Sequence, residues 1–248
     1  MGGTLGDRQH TNPIGGVMLA QQYRYSNGQA PPPPENLGEI IHVIAQPRRS
    51  LSPASFTEEE FENFEQKDAD AVKEAQVMSA VIPIIEGDVR DSKSAAEQVL
   101  FTNSKHLTDG TLVPGNPDRY YGARPEHHDL QHDLPIVPNF FLNAKGPDGT
   151  LAVAELDFDN KAYTITSTYS GGFLQIFTIY PLSQAGPRTC REYAMMKINS
   201  YALTGNIDAF RTGVGAYRNA RDWAKQKRDE AIKKANETAA RNISNSSQ

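Results

Sequence analysis

The chain has a single cysteine, Cys190, and no run of eighteen apolar residues. One thiol excludes an internal disulfide and fits a reducing compartment. The lack of a long apolar run argues against a membrane-spanning helix. No basic leader followed by an apolar stretch opens the sequence, so secretion is not expected and an intracellular location, cytoplasmic or nuclear, is. In the start MGGTLG the position that myristoylation needs as Ser or Thr is Gly6. There is no phosphate-loop glycine motif and no HExxH pair, and Thr166, Ser167 and the six histidines form no recognisable nucleophile and base pair.

The formal charge of the 248 residues is −5, which argues against simple attraction to nucleic acid. It is unevenly spread. From Gly205 onward nine Lys and Arg stand against five Asp and Glu, leaving −9 for the remainder. A polyanion contact is therefore expected near the C-terminus. Residues 1–55 carry Gly pairs, four consecutive prolines at 31–34 and Arg48-Arg49-Ser50. They read as a disordered arm with a polyproline spacer. Within it the apolar patch 40–45 would either pair as an edge strand or dock on the body.

One folded domain is expected over 56–240, with a disordered tail at 241–248. Thr57 with Glu60 forms a capping box that opens a helix, and Glu58 and Glu59 complement its positive end. Phe61, Phe64, Val72, Ala75 and Met78 recur at helical spacing, and Pro83 is expected to stop the pattern. Glu74 lies just off that stripe, where a solvated side chain is the ordinary outcome and a turn toward a neighbouring site the alternative. A short helix over 94–99 and a turn and strand over 107–114 come next. Residues 162–169, Gly171-Gly172 and 173–180 read as a hairpin; 192–201 suits a strand or a short helix. The final helix, from Ile207 to about residue 240, carries Phe210, Val214, Tyr217, Ala220 and Ala224 on one face with Trp223 beside it. Gly213 and Gly215 should weaken it by roughly 1 kcal/mol each relative to Ala. Arg218, Arg221, Lys225 and Arg228 form a basic stripe, either solvated or a track for phosphates.

The chemistry-bearing stretch is 117–149, PDRYYGARPEHHDLQHDLPIVPNFFLNAKGPDG. Over 139–145 side chains alternate faces, so Phe141, Asn143 and Lys145 share one side and Phe140 and Leu142 the other. Asp118 precedes this strand by about 25 residues. An acid followed by a strand ending in x-Lys resembles the layout of PD-(D/E)XK, or restriction-endonuclease-like, nucleases. The runs NPDRYYGARP (116–125), PNFFLNAKGPDG (138–149), AYTITSTY (162–169) and YRNARDWAK (217–225) resemble an uncharacterised family of fungal proteins expected to have that fold. The likeness covers roughly residues 61–236. It implies an α/β (α+β) fold, a mixed sheet flanked by helices, and a site in which two carboxylates hold Mg²⁺ or Mn²⁺ while a lysine assists the attacking water. Asp118 and Lys145 carry over as metal ligand and catalytic lysine. Asn143 stands where the family has Glu, so it is a degenerate position, and Glu74 or Asp148 is a candidate substitute acid. Between the A-V-A at 152–154 and the AYTITSTY strand the relatives carry a helical insert bearing Gln and Tyr; here residues 155–161 replace it. The usual helical crossover after the Asn-x-Lys strand is therefore expected to be shortened.

EHHDLQHD at 126–133 offers a rival site, because on a helix His128 and His132, like Asp129 and Asp133, fall four apart and could chelate zinc. Cys190 beside Arg191 could have a lowered pKa. Three functions stay open: a catalytically impaired nuclease-like domain, an active metal-dependent phosphodiesterase acting on nucleic acid, and an interaction module with a protein partner and no enzymatic activity.

Overall fold

The computed structural model describes residues 17–20, 24–25, 27–89, 95–97, 118–121, 140–143, 160–182 and 193–246. Strand β1 (Val17–Leu19) is followed by helix α1 (Leu37–Ile44) and a 3-10 turn at Arg49–Leu51. Helix α2 (Glu58–Asp70) leads to a second helical run made of α3 (Glu74–Gln76), a π-helical turn (Val77–Val81) and α4 (Ile82–Glu86). Strands β2 (Ala95–Glu97), β3 (Arg119–Tyr121), β4 (Phe140–Asn143), β5 (Thr164–Ser170), β6 (Phe173–Pro181) and β7 (Tyr193–Ala202) precede helix α5 (Ile207–Ser246). All seven strands form one mixed sheet in the order β1-β7-β6-β5-β4-β3-β2. β4 runs parallel to β5 and β1 parallel to β7, and every other pair is antiparallel. The fold is thus mixed α+β. Among the described residues no helix is long and apolar enough to cross a membrane.

The capping box at Thr57 is present: the Glu60 amide donates to Thr57 Oγ1 at 3.3 Å and the Thr57 amide to Glu60 Oε2 at 2.7 Å. Phe61 and Phe64 are buried as expected, stacked around Phe210 with Phe56 at centroid distances of 4.5–5.6 Å. Burying each such ring stabilises the fold by roughly 1.5–3 kcal/mol. The rest of the expected stripe fails. The helix ends at Asp70, Val72 is 87% exposed and Ala75 is exposed, so only Met78 rejoins the core edge. Nor does Pro83 stop the helix. It sits in the first turn of α4, where its missing N–H costs nothing. The wider π turn just before it lets the chain pass the proline ring.

Further differences follow the same logic. Residues 95–97 are strand rather than helix, because β3 offers them a ladder. The 171–172 hairpin stands, with Gly171 at φ 54° and Gly172 at φ 80° supplying the left-handed turn. Residues 193–202 resolve as strand β7. The expected tail at 241–248 is helical through Ser246. The parallel pairing of β4 with β5 means that the chain does cross over between them, although residues 144–159 lie outside the described ones. The expected 1–55 arm is corrected most. From Pro31 onward it is part of the body: Pro31, Pro34, Ile40, Ile44 and Leu51 are buried, and α1 lies on α5. The apolar patch at 40–45 docks as a helix, not as an edge strand. Residues 1–16 lie outside the described residues.

The two glycines of α5 behave differently from a pure propensity reading. A Cβ on Gly213 would meet Leu203 Cδ2 at 2.5 Å and Tyr201 Cβ at 2.7 Å, whereas one on Gly215 would meet only Leu51 Cδ1 at 3.7 Å. Gly213→Ala is therefore expected to destabilise by about 1–3 kcal/mol through overpacking against β7. Gly215→Ala should stabilise by up to about 1 kcal/mol. Urea midpoints at unchanged m-value would check both; equal and same-sign shifts would contradict the close approach of α5 to β7.

Candidate functional site

The β3–β4 ladder pairs Arg119 with Leu142, Tyr120 with Phe141 and Tyr121 with Phe140. Asp118 immediately precedes Arg119 and Asn143 immediately follows Leu142, so the two sequence candidates stand at the same end of the β3–β4 ladder, each one residue beyond its last pair. Directly opposed residues share a face of the sheet, and that face alternates along each strand. Phe140 meets the Tyr217 ring of α5 at 5.0 Å, so Phe140, Leu142, Arg119 and Tyr121 face the helices. Position 143, next to Leu142 in β4, alternates to the opposite face. Asp118 is half-buried and engaged in contacts of its own. Glu74 opens the helical run that ends in α4, which packs on α5. Lys145, Asp148, Cys190 and the histidine-rich 126–133 stretch lie outside the described residues. Among the described residues no group of three or more His, Cys, Asp or Glu side chains could hold a metal ion.

The basic stripe of α5 is mostly buried. Arg218, Arg221 and Arg228 are buried, and only Lys225 is exposed, paired with Asp229 at 2.6 Å. The cause is the end of α4. Its last carbonyls have no partner within the helix and carry the negative end of its dipole. Arg218 Nε donates to the Ile85 carbonyl at 2.9 Å and Nη2 to that of Ile84 at 2.8 Å, while Arg221 Nη1 donates to the Glu86 carbonyl at 3.0 Å. Gly87 follows at φ 60°, and a Cβ there would lie 2.5 Å from the Arg218 guanidinium carbon. Burial, with Arg48 and Arg221 nearby, pulls the Arg218 pKa down to about 10, still far above neutrality. It stays a cation.

Beside this cap lies a polar cluster that no motif announces. The Glu86 carboxylate is 2% exposed. It accepts a short hydrogen bond from the Tyr121 hydroxyl and lies 2.6 Å from Arg119 Nε. Burying a carboxylate costs several kcal/mol unless paired, and these two partners offset it. The Tyr217 hydroxyl lies against that of Tyr121 without the alignment of a full hydrogen bond. The Arg119 and Arg221 guanidinium carbons stand 5.8 and 5.7 Å from the centre of the Tyr121 ring. Burial, reinforced by the negative charge of Glu86, pushes the Tyr121 phenol up to about 12. Burial also raises Tyr217 well above its ordinary value and holds Tyr180 at about 12. With its carboxylate enclosed by α4, β3 and α5, the cluster serves as a bolt between layers rather than as a reaction centre. Sequence offered one faint signal for it: Arg119 and Tyr121 alternate on the side opposite to Asp118, and Glu86 closes the apolar run 81–85.

Two outcomes follow. Arg218→Met keeps the aliphatic stem and removes the cap of two carbonyls, so it should cost about 1.5–3 kcal/mol in urea denaturation; an unchanged midpoint would deny the capping role. The buried phenols give a sign for alkaline pH. Their folded pKa values stand above the unfolded value near 10, so their stabilising effect is complete below pH 10 and is lost as pH rises from about 10 to 12. The slope should be roughly 1.4 kcal/mol per pH unit for each tyrosine held protonated. Phenolate absorbance at 295 nm rising together with loss of fold is the expected titration, and ionisation of these tyrosines in the folded protein at pH 10 would contradict it.

Comparison with protein-family models, with curated proteins and with solved structures finds no match to this chain.

Proposed function

We propose that the chain is a nuclease-like domain of restriction-endonuclease-like architecture in which the catalytic step is impaired. The observation that supports this reading is that Asp118 and Asn143 flank the Arg119–Leu142 pair at one end of the β3–β4 ladder. A dipositive metal in a phosphodiesterase is held by one or two carboxylates together with substrate phosphates, and the pair of acids offsets its dehydration. Here the two positions supply one carboxylate and one amide. The donor set keeps two oxygens and loses a full negative charge, so it is a poor fit to Mg²⁺ or Mn²⁺. Further support comes from the antiparallel β2-β3-β4 strands and the parallel β5, which agree with a mixed sheet flanked by helices. The burial of Arg218, Arg221 and Arg228 leaves Lys225 as the exposed member of the basic stripe, which weakens the case for a phosphate track there.

The experiment is a plasmid and RNA cleavage assay with Mg²⁺ or Mn²⁺, combined with calorimetric Mn²⁺ titration of the unmodified chain, Asp118→Ala and Asn143→Glu. No cleavage by the unmodified chain is expected. Asn143→Glu should gain Mn²⁺ binding, and adding Asp118→Ala should reverse the gain. Robust cleavage by the unmodified chain that Asp118→Ala abolishes would overturn the impaired reading and call for a second acid elsewhere, such as Asp148.

A further inference from the structure

The pairing of β5 with β4 is not set by a short turn. β5 is fixed to β6 by a two-residue turn, so that register is set by neighbours in sequence. Nothing so short fixes β5 to β4, because parallel strands cannot be joined by a tight turn. What does grip the entrance to β5 comes from the far N-terminus. The Asn36 amide nitrogen donates to the Ala162 carbonyl at 2.7 Å, and the Ala162 N–H donates to Asn36 Oδ1 at 2.8 Å. One side chain thus satisfies both backbone groups of a residue 126 positions away, as a paired strand residue would. Glu35 N–H adds a bond to the Asn160 carbonyl at 2.9 Å, where Asn160 takes a left-handed φ of 55°. Asn36 is 9% exposed and Ala162 fully buried, so water cannot easily substitute.

The gripping segment is itself anchored at both ends. Ahead of it Pro31 and Pro34 are buried while Pro32 and Pro33 are exposed, the three-residue repeat of an extended proline helix with one face inward. Behind it Ile40 and Ile44 bury α1 on α5. Asn219 Nδ2 donates to the Gln46 carbonyl at 2.7 Å and the Ile44 carbonyl at 3.3 Å, Trp223 Nε1 donates to Glu39 at 2.9 Å, and Arg48 meets Asp222 at 2.8 Å. The ion pairs are half-exposed and contribute little. The buried isoleucines and the Asn36 pair dominate, so the segment holds without depending on ionic strength.

We propose that residues 34–51 form a clasp that holds β5 in parallel register against β4, so that the pairing of position 143 with Thr168 is controlled from the N-terminal part of the chain. Removal of the clasp, by cleavage or by displacement from α5, would loosen the sheet at β4 while leaving the β5–β6–β7 unit and α5 in place. This inference is independent of any catalytic reading.

Amide hydrogen exchange on the full chain, resolved by residue, tests it with Asn36→Ala. Successive amides of a strand point to opposite sides, so every second amide of β5 bonds toward β4 and the others toward β6. In the variant the β4-directed amides of Thr164–Ser170 and those of Phe140–Asn143 should exchange about ten- to hundredfold faster, the scale for leaving a buried pair unsatisfied. The β6-directed amides and those of residues 210–224 should change less than threefold. Should Asn36→Ala fail to fold, Asn36→Asp keeps the acceptor for Ala162 N–H and loses the donor, and the same alternating pattern is expected at smaller amplitude. Unchanged β5 exchange, or a uniform acceleration across β5, β6 and α5, would overturn the clasp.

Discussion

The interaction on which the architecture depends is the capture of the end of α4 by α5. A helix that ends inside a protein leaves its last carbonyls without partners, and a carboxylate next to them is doubly unwelcome. Glu86 is such a carboxylate. Arg218 and Arg221 bind the carbonyls, Arg119 and Tyr121 bind the acid, and in doing so they join α4, β3 and α5 at one point. Apolar contacts among Tyr121, Phe140 and Tyr217 then fill the space around it. Exchanging the polar centre for hydrophobic residues could preserve stability, but it would lose the orientation that directional hydrogen bonds give to β3. Because Asp118 immediately precedes Arg119, its place at the start of β3 is inherited from this buried junction.

The sequence was legible where one local rule dominated. The Thr57 capping box, the Gly171-Gly172 turn and the apolar face of α5 each rest on backbone chemistry within a few residues, and each is present. Reading failed where long-range contacts chose between local options. Val72 and Ala75 have the spacing of a buried stripe, yet the chain bends at 71–73 and leaves them exposed. Ala95–Glu97 has the composition of a helix and is recruited as a strand by β3. The prolines at 31–34 suggested a free spacer, although an extended proline helix needs only one buried face to become part of the body. For the candidate site, the nearness of Asp118 and Asn143 to one end of the β3–β4 ladder could be known only from the register.

The charge pattern illustrates how composition can mislead. An excess of Lys and Arg after Gly205 suggested a surface for polyanions, but three of the four stripe residues are turned inward. Arg218 and Arg221 direct their positive charge at carbonyl dipoles of the protein itself, and Arg228 directs its charge at Asp229. Exposed positive charge on α5 is correspondingly lower than a sequence count implies, and of the remainder Lys225 pairs with Asp229 and Lys227 with Glu39 and Glu230.

The strand order carries a consequence for association. The two outer strands among those described, β1 and β2, are each three residues long, while β6 and β7 in the interior reach nine and ten. Open edges are where sheets recruit strands from other molecules, and very short edge strands offer too few unpaired amides to template such growth. Among the described residues the longest strands, β6 and β7, are each flanked on both sides and so present no open edge of their own.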